Sequence, residues 1–172
     1  WLPTYWHEFH GASIQNAGIM AATFGIITGL IRVPGGTLSD RIGGEPANFL
    51  AFGSALLGSV ILMFTSTMAV AFIATLLIAV GFGVANAAQF SLVPVYLPRA
   101  IGGAAGWIGG LGGFGGTVIP PAMGMFVDST GQSGYATGFV IFAGLCVMSL
   151  AIIAVLRLTR NSGAFAAQPD PA

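Results

Sequence analysis

The sequence predicts an all-α membrane protein with five transmembrane helices. Of its 172 residues, 55% are hydrophobic and only 6% are charged, whereas soluble domains carry about 25% charged residues. The mean hydropathy is +0.89. The few charged residues are clustered, which leaves long apolar stretches between them.

The composition also excludes several classes of function. Five Arg balance five acidic residues, so no basic surface for nucleic acid is predicted. One Cys and two His do not form a disulfide framework and argue against a metal cage, so we predict no metal and no cofactor. The segment 7–10 (HEFH) departs from the H-E-x-x-H zinc motif, and we predict that the protein is not an enzyme.

Stretches without a charged side chain define the spans. A spanning helix needs about 20 apolar residues, so the uncharged stretch 46–98 is long enough for two. Its polar segment 65–67 (TST) is the place for a turn between them. The predicted spans are 13–34, 47–64, 69–92, 101–126 and 135–156, within a transmembrane unit of residues 1–158.

The charges orient these spans. Four arginines fall on one side of the membrane when five spans alternate: Arg41, Arg99, Arg157 and Arg160. By the positive-inside rule this side is cytoplasmic. We therefore predict a multi-pass protein of the plasma (inner) membrane, with the start of the chain outside. The segment 159–172 is predicted to be a disordered cytoplasmic tail.

The first six residues (WLPTYW) are typical of the aromatic, water-facing end of a preceding helix. The sequence also begins with Trp1 rather than Met. We expect a fragment of a longer, transporter-like chain. A mature amino terminus left by processing is the alternative.

Arg32 is the one charge predicted deep within a span. It precedes Asp40 by about 12 Å of helix, at a depth where an arginine costs about 2.5–3.5 kcal/mol. Gly25 and Gly29 share its helix face, which leaves room for a ligand. We predict that Arg32 binds a planar oxyanion through two hydrogen bonds. The alternative is that it extends to the interface and pairs with Asp40 or a lipid phosphate.

The segment 34–44 (PGGTLSDRIGG) is predicted to be a short polar turn that closes the first span. Its glycines permit a tight turn, and Asp40 is expected to accept hydrogen bonds from the first amides of the next helix. The pattern Gly36-x-x-x-Asp40-Arg41-x-Gly43 also resembles the inter-helix loop motif of the major facilitator superfamily. Asp40 and Arg41 are expected to form ion pairs that differ between two conformations.

The fourth span is rich in glycine. Two interpretations are open, close packing between helices and approach of the backbone to a small ligand. The prolines at 120–121 are expected to bend or break this span. One helix face carries a glycine at nearly every turn: Gly102, Gly106, Gly109, Gly113 and Gly116.

Asn86 in the third span lies on a stripe of small residues with Ala79 and Gly83. An amide within a span forms an interhelical hydrogen bond in one interpretation and contacts a ligand in the other.

With these motifs in view, residues 1 to about 158 resemble the carboxy-terminal half of a nitrate/nitrite porter of the major facilitator superfamily. Arg32 followed by Pro34-Gly35-Gly36 carries part of the resemblance, and so does the segment 81–94 with Asn86. The most specific part is 102–116, which is similar to the family's nitrate signature. The resemblance implies the second half of a twelve-helix fold, in which the substrate lies between two halves at the bilayer midplane.

The resemblance also implies a site and its partners. One arginine from each half would bind the anion, Arg32 here and another in the missing amino-terminal half. The conformational loop would be Gly36, Asp40 and Arg41. The chain departs from the family at Val33, where Pro is usual, and Pro34 is expected to restore the bend. The partners implied are nitrate or nitrite, membrane lipid and the amino-terminal half. The substrate-binding residues implied are Arg32, Asn86, Gly109, Gly112 and Gly113.

The predicted function is transport of nitrate and/or nitrite by alternating access. No Asp or Glu for a proton relay lies within the predicted spans, which favours nitrate/nitrite exchange. The alternatives are a facilitator for another small anion, proton-coupled nitrate symport, and a membrane module that assembles through its glycine helix.

Overall fold

In the computed structural model, which describes residues 1–161, five long helices follow one another along the chain. Each is long and apolar enough to cross a membrane, so the predicted all-α fold with five membrane helices is confirmed. Short helical turns occupy Leu2–Thr4, Tyr5–Phe9, Gly131–Ser133 and Gly134–Thr137. The long helices are α1 (Ile14–Ile42), α2 (Gly44–Phe64), α3 (Met68–Tyr96), α4 (Ile101–Thr130) and α5 (Val140–Asn161).

The first three long helices form the closest-packed part of the molecule. A β carbon added at Gly81 of α3 would lie 2.5 Å from the carbonyl oxygen of Ala51 in α2. One added at Gly83 would lie 2.8 Å from the carbonyl oxygen of Thr28 in α1. Distances this short admit no side chain, so α3 approaches both neighbours through glycine, as membrane helices commonly do.

Helix α1 continues through residues 34–42, so the turn predicted there is wrong. Gly35 is helical, and a β carbon on it would lie 2.8 Å from the Cα atom of Val84. This glycine therefore permits contact between α1 and α3 rather than a reversal of the chain. The reversal is made by Gly43 alone, whose φ of 94° lies in a region that favours glycine.

The other helix ends differ from the predicted spans by a few residues. Helix α3 extends to Tyr96, and α4 continues through Pro120 and Pro121 to Thr130, so the prolines do not break it. Helix α5 begins at Val140 because the short turns over 131–137 precede it. It also reaches Asn161, so the predicted tail 159–172 begins inside this helix, and residues 162–172 lie outside the described part.

The amino-terminal segment packs against the bundle through its aromatic side chains. Tyr5 and Trp6 are fully buried, although the sequence predicts a water-facing segment. The Tyr5 ring packs edge-on against Phe139, with ring centroids 5.1 Å apart, and its hydroxyl lies 2.9 Å from Nε2 of His10. Burial lowers the pKa of His10, which favours the neutral ring whose Nε2 can accept a hydrogen bond from the tyrosine hydroxyl.

Five alternating helices bring the α1–α2 link, the α3–α4 link and the end of α5 to one end of the bundle, here called the arginine-rich end. Helix α4 is the least packed of the five. Its contacts with α3 and α5 are sparse, and it packs mainly against the short turns that follow it. Met123 is its one buried residue. The other four helices therefore form a block to which α4 is loosely attached.

Candidate functional site

The predicted site residues lie at a common depth in the bundle. At 1.5 Å of rise per residue, Arg32 lies about 15 Å from the end of α1 at Ile42. By the same count Asn86 lies about 15 Å from the end of α3, and the glycines 109–113 lie about 12–18 Å from the start of α4. All of them therefore lie at a similar distance from the arginine-rich end, inside the length of bundle that a hydrocarbon layer of about 30 Å covers.

The Arg32 side chain is exposed on α1. Among residues 1–161 it forms neither a hydrogen bond nor an ion pair, so the alternative pairing with Asp40 is not observed. Its helix face is open, since β carbons added at Gly25 and Gly29 would meet nothing within 4 Å. A guanidinium and a strip of bare backbone therefore face outward from the packed block.

Asn86 is half-buried on α3. Within the described chain its side chain makes no hydrogen bond, so the interhelical bond of the first interpretation is not observed there. Of the small residues on its stripe, Gly83 is occupied by packing against α1. Phe90, one turn further along, is exposed. The amide remains available to a ligand or to another part of the protein.

The glycines of α4 are not used for packing within the described chain. Gly109, Gly112 and Gly113 are exposed, and a β carbon on any of them would meet nothing within 4 Å. Close packing is instead the role of Gly35 in α1, Gly58 in α2, and Gly81 and Gly83 in α3. Helix α4 does not pack along α1, so the structure places Arg32 and these glycines at one depth without bringing them into contact.

The predicted conformational loop is the last part of α1. Gly36 is half-buried, with its added β carbon 3.9 Å from that of Ala87. Asp40 and Arg41 are exposed at the arginine-rich end. Asp40 accepts no hydrogen bond from the start of α2 in the described chain, so it does not cap that helix as expected.

Sequence reasoning missed a charged cluster centred on Glu45. This carboxylate is buried at the start of α2 and accepts a 2.5 Å hydrogen bond from the Tyr96 hydroxyl at the end of α3. One of its oxygens lies 2.9 Å from Nη1 of Arg160 and the other 3.9 Å from Nε of Arg157. The cluster therefore joins the ends of α2, α3 and α5. Its signal in the sequence was an acidic residue within a predominantly basic end.

The Glu45 cluster predicts an asymmetric response to mutation. The Glu45 side chain is 3% exposed, whereas those of Arg157 and Arg160 are 53% and 46% exposed. Arginines left by Glu45→Gln can turn to water, but a buried carboxylate left without arginines cannot. We expect Arg157→Gln/Arg160→Gln to lower the unfolding free energy by about 3 kcal/mol, and Glu45→Gln by about 1 kcal/mol. Thermal unfolding in detergent measures the difference, and equal losses would contradict it.

Comparisons with known proteins agree with the architecture. A family model described as Major Facilitator Superfamily matches residues 1–171. The "Probable nitrate/nitrite antiporter NarK1" of Thermus thermophilus is 32% identical in an alignment 161 residues long, and the match covers 83% of this chain and 36% of the relative. The "Nitrite extrusion protein" of Bacillus subtilis (strain 168) is 30% identical over 153 residues, 89% of this chain and 38% of the relative.

A third relative, the "Probable nitrate transporter NarT" of Staphylococcus carnosus (strain TM300), is 30% identical over 166 residues, 96% of this chain and 42% of that protein. The chain thus spans less than half the length of the relatives it matches. No solved structure matches it significantly. These names confirm the resemblance to nitrate/nitrite porters that the motifs predict.

Proposed function

Because this chain belongs to the major facilitator superfamily, we propose that it forms the carboxy-terminal half of a transporter that moves nitrate and nitrite across a membrane. The names of three relatives support the substrate. One observation carries the proposal. Arg32 presents an unpartnered guanidinium, among the described residues, at the middle depth of a membrane bundle.

The chemistry of Arg32 suits these anions. Nitrate and nitrite are small and planar, and a guanidinium offers parallel N–H donors in a fixed plane. A lone charge at this depth is costly, and an anion offsets that cost. Gly109, Gly112 and Gly113 leave the main chain of α4 bare at the same depth, so a small anion between the helices can reach backbone as well as guanidinium.

Transport follows from differential affinity between conformations. In the proposed transporter a second arginine from the amino-terminal half faces Arg32. Without substrate the two guanidiniums repel each other, and a bound anion relieves that repulsion. The anion therefore favours the occluded state, in which the two halves close around it, and this difference in affinity is what drives a population shift. Rocking of the halves then opens the site to either side.

Exchange is the coupling that the described helices favour. The carboxylates of the five long helices lie only in terminal turns, at Asp40, Glu45 and Asp128. A proton relay would use a carboxylate at the depth of the substrate, and no described helix of this half provides one. We propose that return of the empty transporter is unfavourable and that nitrite or nitrate bound on the opposite side permits it.

The chain is a multi-pass membrane protein, and we propose a specific orientation in the plasma membrane. The arginine-rich end carries Arg41, Arg99, Arg157 and Arg160. The positive-inside rule assigns such an end to the cytoplasm. The start of this chain would then lie outside and its carboxy terminus inside.

Counterflow in proteoliposomes tests the proposal. The full-length protein that carries this sequence is reconstituted in vesicles loaded with nitrite, nitrate or chloride, and labelled nitrate is added outside. We expect accumulation with nitrite or nitrate inside and only leakage with chloride inside. Uptake that does not depend on the internal anion but does depend on a proton gradient would favour proton-coupled symport. If the protein exchanges another small anion but not nitrate, the proposed substrate is wrong.

A further inference from the structure

A large apolar cavity opens between four of the helices at the arginine-rich end. Its volume is about 700 Å³, within the range of small-molecule sites. Phe52 of α2, Leu92 of α3, Ile108 of α4 and Ile153 of α5 are among the apolar side chains that line it. The site proposed for the anion does not use this cavity, since neither Arg32 nor Asn86 lines it.

The length of the cavity is comparable to that of the outer part of a lipid acyl chain. Its wall on α5 extends from Ser149 to Leu156, which is about 10 Å of helix. By the measure used for Arg32, this wall lies about 8–18 Å from the end of α5 at Asn161, so it extends from near the arginine-rich end to about the depth of Arg32. A fluid hydrocarbon chain that enters beside the headgroup layer fits this geometry.

Two arginine side chains lie where the cavity meets the arginine-rich end. Leu156, which lines the cavity, is followed directly by Arg157. Tyr96 also lines it and donates its hydroxyl proton to Glu45, which holds Arg157 and Arg160. Two guanidiniums against one carboxylate leave a net positive charge, and both arginine side chains are about half exposed. A phosphate can therefore add to the cluster without displacing Glu45.

A buried polar atom at the same level lacks a partner. Asn48 lies one helical turn after Glu45 and also lines the cavity. Its Nδ2 donates to the Gly44 carbonyl at 2.9 Å, but its Oδ1 has no partner among the described residues. A buried acceptor is normally paired, so a donor supplied by a bound molecule fits here. The glycerol hydroxyls of phosphatidylglycerol are such donors.

We propose that this cavity binds an anionic glycerophospholipid, with one acyl chain between α3, α4 and α5 and the phosphate on Arg157 and Arg160. Basic pockets between membrane helices recognise anionic headgroups in this way. Glu45 acts as a positioning residue, because it fixes both arginines beside the opening. The lipid would fill the space that the sparse contacts of α4 leave open. The proposal does not depend on the transported anion.

Lipid titration of the purified full-length chain tests this site. Dioctanoyl phosphatidylglycerol and dioctanoyl phosphatidylcholine are added in detergent, and native mass spectrometry measures the bound fraction. We expect the anionic lipid to bind at least tenfold more tightly. Arg157→Gln removes a cation, and Ala104→Phe fills the cavity from α4 without touching the Glu45 cluster. Each should weaken phosphatidylglycerol binding at least tenfold, whereas Arg41→Gln, at the same end but outside the cluster, should change it less than twofold.

Several results would overturn the proposal. Equal binding of both lipids means that the phosphate is not recognised. Normal binding by Ala104→Phe means that the chain lies elsewhere, and normal binding by Arg157→Gln means that the cations do not hold the headgroup. Because no nitrate is present, failure of transport leaves these outcomes unchanged.

Discussion

Replacing Arg32 with alanine should strongly weaken nitrate counterflow by the full-length transporter. The substitution removes a charged pair of donors from the proposed anion site, and hydrogen bonds to charged groups contribute about 1.5–3 kcal/mol. This corresponds to about a ten- to hundredfold loss of anion affinity. Half-saturation of counterflow by nitrate, measured with equal amounts of inserted protein, reports the loss. Folding should be unaffected, because the Arg32 side chain is exposed and forms no hydrogen bond or ion pair among the described residues.

Two further variants separate charge from geometry. Arg32→Lys keeps the charge but loses the planar pair of donors, so its affinity should fall between wild type and Arg32→Ala. Arg99→Ala removes an arginine from the arginine-rich end and should leave half-saturation unchanged. Undiminished counterflow in Arg32→Ala would place the anion elsewhere and reduce Arg32 to a residue that extends toward the interface.

Alanine substitutions should have opposite effects on stability at a glycine that packs against another helix and at the exposed glycines of α4. Gly83→Ala places a β carbon 2.8 Å from the Thr28 carbonyl oxygen, and overpacking of this kind costs about 1–3 kcal/mol. The Gly109→Ala/Gly113→Ala double variant adds β carbons that meet nothing within 4 Å, and alanine is the better helix former by about 1 kcal/mol per residue. We expect thermal unfolding to occur at a lower temperature for Gly83→Ala and at the same or a higher temperature for the double variant.

Transport should follow the opposite order. The double variant at 109 and 113 narrows the space through which a small anion reaches the α4 backbone, so counterflow should fall at least tenfold although the protein is stable. Gly83→Ala should lose activity only in proportion to its folded fraction. Wild-type counterflow in a stable double variant would remove the glycines of α4 from the anion site.

The sequence predicted the membrane helices well because charge clusters and apolar length decide them locally. The same reasoning places Arg32 inside the first span, and its depth in the bilayer stays a prediction. It failed at Gly35, since a Pro-Gly-Gly run is a turn signal when read locally. In the folded chain, the contact with Val84 of α3 decides that this segment is helical. That contact joins residues far apart in the sequence and has no local signature.

The Glu45 cluster is a second example of contacts that the local sequence does not predict. Glu45 could be identified as an acid at the start of a helix, where the helix dipole favours it. Its burial and its pairing with Arg160 depend on how α5 packs against α2, which periodicity does not specify. The candidate anion site could be predicted only in part. The sequence places its residues at one depth, but the separation of α4 from α1 is visible only in three dimensions.

The unequal links between helices have a mechanical consequence. One residue, Gly43, joins α1 to α2, and three residues join α2 to α3, so these helices tilt together. Helix α4 is joined to α3 by a four-residue segment, 97–100. It has few contacts with the other long helices. This half therefore contains an internal degree of freedom of its own. A sideways displacement of α4 would change the gap between its bare backbone and Arg32 while the α1–α3 packing stays intact. In the proposed transporter, such a displacement would let one helix enclose the anion before either half rotates.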